Sequence, residues 1–171
     1  MASCSIFYLF VFVASLQQIT TADRCPSSWI AWGNHCYRFE LTNKAVWDAA
    51  ETKCNERGSQ RRPSHLVSIH SKEEQNFLYE VFRLAVREKE QQSAWDPSFY
   101  IGLLVGNTAT NLSWSDGSCV DYQNWYRGAE PNNFPNSGGQ ISEGIGLNGR
   151  WIDSYAPNGF ARYYVCKMRQ N

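Results

Sequence analysis

The order of patterns along the chain predicts an α+β fold. Two amphipathic helical segments come first, and from Phe99 onward short apolar pieces alternate with Gly, Asn, Pro and Ser. Beyond Cys4 five cysteines remain, Cys25, Cys36, Cys54, Cys119 and Cys166, in a stretch long enough to bury one core. In an oxidising compartment their spacing favours a short bridge, Cys25–Cys36, and a long clasp, Cys54–Cys166, with Cys119 left over. The clasp closes the larger loop, so it should stabilise more, by roughly 4–5 kcal/mol in the chain-entropy picture.

The first segment, MASCSIFYLFVFVASLQQITTA, has an apolar run from Ile6 to Leu16 followed by small residues ending at Ala22. That run is too short to span a bilayer and its exit suits signal peptidase, although Lys and Arg are missing from its start. Residues 1–22 are therefore expected to be a secretory signal and residues 23–171 a secreted, extracellular domain. No later segment reaches transmembrane length, so membrane insertion is not expected. Sixteen basic residues balance sixteen acidic ones, which argues against a nucleic-acid or anionic-membrane partner.

The elements follow in order. TNKAVWDAAETKCNERG reads as a helix, with Thr42 or Asn43 as its cap, Val46, Trp47, Ala50 and Cys54 on its buried side, and Gly58 as its stop. HLVSIHS alternates like a strand. Ser71 then opens a second helix, with Glu74 three residues on as in a capping box, and an apolar stripe of Phe77, Leu78, Val81, Phe82, Ala85 and Val86. FYIGLLV, LSWSDG, NGRWID and ARYYVCKM read as short strands. The stretch from Asp116 to Asn148 reads as a long functional loop, and RGAEPNNFPNS lies within it.

Taken together in their order and spacing, CPSSWIAWGNHCYRF, AVWDAAETKC, HLVSIHSKEEQNFL, YIGL, LSWSDGSCVDYQNWYRGAEPNN and NGRWIDSYAPNGFARYYVCKM resemble the C-type lectin-like domain in its long form. The likeness runs closest to secreted invertebrate lectins. It implies two helices flanking short antiparallel sheets, with a long calcium- and sugar-binding loop region. It also implies the bridges Cys25–Cys36 and Cys54–Cys166, whereas Ser142 and Ala156 stand where the family's loop-base bridge would be.

What the resemblance implies for the site is a calcium ion between the Glu-Pro-Asn loop and the residues after Trp151. Vicinal sugar hydroxyls then ligate the ion and bond to its acid/amide ligand pairs. Calcium takes six to eight oxygens, mostly carboxylate and carbonyl. Glu130 and Asn132 match the first pair and Asp153 the closing acid. Ile152 stands in place of an expected Asn, and Gln140 in place of the middle Glu; Glu143 is a less suitable substitute. One weak site is therefore expected, with dissociation constants on the order of 10⁻⁴ to 10⁻³ M. A second calcium site is not expected, since LLVGNTATNLSW holds no acid. The Glu-Pro-Asn order is similar to the mannose/glucose type.

Tyr126, Tyr155 and Phe160 are placed to stack on a sugar face, while Trp114, Trp125 and Trp151 are read as core. Cys119 is either a free thiol or an inter-chain bridge making a homodimer. Asn111 heads the sequon Asn111-Leu112-Ser113. No HExxH or GxSxG is present, so an enzyme is not expected. The leading expectation is a lectin for glycans or glycoproteins; the alternative is a calcium-independent structural or protein-binding domain of an extracellular or mineral matrix.

Overall fold

The computed structural model describes residues 25–87, 97–106, 108, 111–128, 137–143, 147–154 and 160–171. The expected signal segment, residues 1–22, lies outside them. In chain order the described elements are β1 (Ile30–Trp32), β2 (His35–Ala45), α1 (Trp47–Glu56), β3 (His65–Leu66), α2 (Lys72–Arg87), β4 (Ser98–Val105), β5 (Leu112–Trp114), β6 (Ser137–Ser142), β7 (Arg150–Ser154) and β8 (Arg162–Arg169).

The strands join in the order β1-β2-β8-β4-β6-β7, with β3 beside β8 and β5 beside β4. All pairs are antiparallel except β4 with β8, a parallel seam that unites the expected antiparallel pieces into one mixed sheet. Alternation then makes two cores. Phe99, Ile101 and Leu103 of β4, with Tyr163 and Val165 of β8, face Leu78, Phe82 and Val86 of α2. Tyr100, Tyr164 and Cys166 face the other way, onto Trp47, Ala50 and Cys54 of α1.

Helix α1 starts later than its sequence suggests. Thr42 and Asn43 do not cap it, because β2 runs on through Ala45, which pairs with Arg162. Val46 is the N-cap, has no side-chain cap bond and is exposed, so the buried stripe begins at Trp47. The expected HLVSIHS strand is only two residues long. Beyond it, Val67 is held by N–H donation to Val165 O at 2.9 Å and by accepting from Gly102 N at 2.9 Å.

Ser71 does open α2, and its Oγ accepts from Glu74 N at 3.1 Å. The reciprocal half of the capping box is diverted. Oε2 of Glu74 accepts from His70 N at 2.9 Å, while Oε1 accepts from the Tyr37 hydroxyl and lies 2.7 Å from Lys167 Nζ. This buried cluster ties α2 to β2 and β8. Both bridges, Cys25–Cys36 and Cys54–Cys166, are formed.

Strand β6 falls inside the stretch expected to be loop. Its SGGQIS sequence reads as a turn, but a Cβ on Gly138 would come within 2.3 Å of the Trp47 ring, so the glycine lets the strand lie against α1's first residue.

Candidate functional site

Site geometry is set by the β6–β7 hairpin and the start of β8. Trp151, fully buried, anchors β7 by donating its Nε1 proton to Gln75 Oε1 at 2.6 Å, and Gln75 Nε2 donates to Gly149 O at 2.9 Å. The end of the described long-loop segment is pinned to the same strand. Trp151 N donates to Asn124 O and Tyr126 N donates to Trp151 O, each at 2.8 Å, while Trp125 packs edge-on against Trp151. Trp151 is therefore held against both α2 and the loop. Trp114 and Trp151 are core, as expected, and Trp125 is half-buried beside them.

Register decides which predicted ligands meet. Gln140 lies opposite Ile152, and Gly139 opposite Asp153. Directly opposed residues share a face, so Gln140 and Ile152 form one cross-strand pair, and Asp153 is on the face of Ile141 and Trp151. Gln140 is buried, and its Oε1 accepts from Arg162 Nε at 3.2 Å. Arg162 also lies over the exposed Phe160 ring, 5.4 Å from its centroid, and the Phe160 carbonyl accepts from the Tyr100 hydroxyl at 2.9 Å.

Set against the needs of calcium, the two halves differ. Ile152 offers no side-chain oxygen, and the Gln140 oxygen is committed to a guanidinium, a cation that repels a second cation nearby. This pair as it stands does not fit a metal. Asp153 retains a half-buried carboxylate. Glu130, Asn132 and Tyr155 lie outside the described residues; among the described ones no group of three or more His, Cys, Asp or Glu could hold a metal.

Tyr126 is exposed, Asn111 is exposed in the turn before β5, and Cys119 is exposed and in neither bridge. Sequence reasoning missed Arg162. Its position two residues before Tyr164 on β8 gave no hint that, across β4, it would reach Gln140 on β6.

Comparison with known proteins bears on what this arrangement is. A family model described as the lectin C-type domain matches residues 43–168. Echinoidin of Heliocidaris crassispina is 34% identical over 152 residues, covering 84% of this chain and 96% of echinoidin. Among solved structures, that of CEL-IV is 37% identical with a TM-score of 0.72, over 84% of this chain and 92% of CEL-IV. A calcium-independent type II antifreeze protein is 26% identical with a TM-score of 0.65, over 86% of this chain and 95% of its own. With its two helices, mixed sheet and paired bridges, the chain belongs to the C-type lectin family.

Proposed function

We propose that this domain is a secreted lectin that binds glycans through one weak calcium site formed by Glu130, Asn132 and Asp153, after removal of residues 1–22. The observation that carries this reading is the Glu130-Pro131-Asn132 sequence in a member of the C-type lectin family. Gln140, on the opposite face of the hairpin from Asp153, joins this set only if Arg162 releases it. Tyr126 and Tyr155 supply stacking surfaces, and the Glu-Pro-Asn order favours mannose- or glucose-type sugars. The reading is one of binding rather than catalysis. Calorimetric titration with calcium is expected to give a dissociation constant of about 10⁻⁴ to 10⁻³ M, and a glycan array a signal lost in chelator. No calcium heat and a chelator-insensitive array would overturn it.

A second reading, a calcium-independent structural or protein-binding domain, is favoured by one observation, the Arg162 guanidinium on Gln140 opposite Ile152. The similarity to a calcium-independent type II antifreeze protein is of the same kind. In either reading the exposed Cys119 provides an inter-chain bridge for a homodimer, which would raise avidity without new contacts. On a non-reducing gel the wild type should run as a dimer and Cys119→Ser as a monomer; identical monomer bands would exclude the bridge.

A further inference from the structure

At the far end of β8 from Gln140 lies a cleft of about 500 Å³. All three histidines of the chain, His35, His65 and His70, line it. So do Arg61, Arg62, Lys167 and Arg169, against a single acidic lining residue, Asp116. In a chain whose basic and acidic residues are equal in number, this is a concentrated patch of positive charge.

Not all of that charge is neutralised from behind. Lys167 is, by Glu74 at 2.7 Å, and His65 and His70 face Glu51 at 2.7 Å and Asp121 at 2.8 Å. Arg62 donates from Nε and Nη2 to the Arg169 carbonyl at 3.1 and 2.8 Å. Arg61 and Arg169 are exposed, and among the described residues neither guanidinium has an ion-pair partner. The one wall acid is already engaged: Asp116 accepts from Ser68 Oγ and Ser118 Oγ, each at 2.5 Å.

Planar guanidinium groups match oxyanions through paired N–H donors, better than an ammonium does. A cleft of this size falls in the range of sites that hold small organic ligands, far more than one ion fills. We propose that it binds an oxyanionic ester, sulfate or phosphate, carried on a saccharide, in a site independent of calcium. The strand itself separates the two sites. Arg162 stands at the Gln140 end of β8 and Arg169 at the cleft, ~23 Å apart at the rise of an extended strand.

The test is calorimetry in EDTA with four probes: a heparin hexasaccharide, a phosphomannan oligosaccharide, inorganic sulfate and inorganic phosphate. Binding of the first or the second supports the proposal and identifies the ester. That binding should weaken as salt rises and fall about tenfold in Arg61→Ala/Arg169→Ala. It should be unchanged in Arg83→Ala, on the exposed side of α2, and only partly kept in Arg61→Lys/Arg169→Lys, which retains the charge but loses the paired donors. Because Arg61 and Arg169 are exposed, an unchanged melting temperature in each variant separates lost binding from lost folding. Binding by neither saccharide, equal loss in Arg83→Ala, or inorganic ions binding as tightly as the saccharides would overturn it. None of these results bears on the calcium reading, which EDTA removes.

Discussion

At the scale of single residues, the weakness of the proposed calcium site has two sources that chemistry can reverse. Ile152 withholds an amide, and Arg162 both occupies the Gln140 oxygen and brings a fixed positive charge. Arg162 is half-buried, so that charge is screened less than a surface one. Ile152→Asn restores an oxygen directly opposite Gln140, and Arg162→Gln frees the Gln140 oxygen while removing the repulsion. Each is expected to tighten calcium about tenfold, a change of about 1.4 kcal/mol, measured by calorimetry. If the domain is a calcium-independent one, neither substitution will create calcium heat. The half of this arrangement held by residue identity, Gln140 and Ile152 at positions where ligands are expected, was readable in the sequence. Arg162 was not, because its reach depends on the spatial order β8-β4-β6, which no local pattern encodes.

At the scale of elements, legibility followed how far each signal was local. The stripe of α2 is a periodicity carried by neighbours in sequence, and Leu78, Phe82 and Val86 are all buried where it put them. The Ser71 cap is equally local and is present. Long-range pairing moved the start of α1: Thr42 and Asn43 are good cap residues, yet the strand they occupy continues until Ala45 meets Arg162. Strand β6 was hidden for the same reason. Two glycines lower strand propensity, and what overrides them is tight packing of Gly138 on Trp47, 91 residues away in sequence and donating its own indole proton to Ile101 O at 2.9 Å. The candidate site was therefore legible as a set of candidate residues and illegible as a geometry, since β6 carries Gln140 into register with Ile152.

At the scale of the whole molecule, zero net charge hides a polarised surface, and the same uneven distribution governs stability against pH. Burial first, then the charges of Lys167 and Arg169 with a smaller push from His70, hold the His35 imidazole below its ordinary 6.5, with Glu74 opposing. Folded His35 thus binds fewer protons than unfolded His35 below pH 6.5, so its contribution is complete above that value and is lost as pH falls toward its folded pKa. At Asp116 burial acts to raise the carboxyl, but bonds from Ser118 and Ser68 and the Lys167 charge outweigh it and hold it below 3.8, which gives a second acid loss with the same sign. Tyr37 behaves oppositely: burial and the Glu74 carboxylate push its hydroxyl far above 10, so the unfolded chain releases that proton first and stability falls as pH rises past 10. Melting temperatures should therefore form a plateau between about pH 6.5 and about pH 10 and decline on both sides. His35→Gln, which cannot titrate, should flatten the first decline below about pH 6.5 while leaving the later acid limb unchanged. Parallel melting profiles of His35→Gln and wild type through that window would show that the imidazole, although held between two cationic side chains, does not control it.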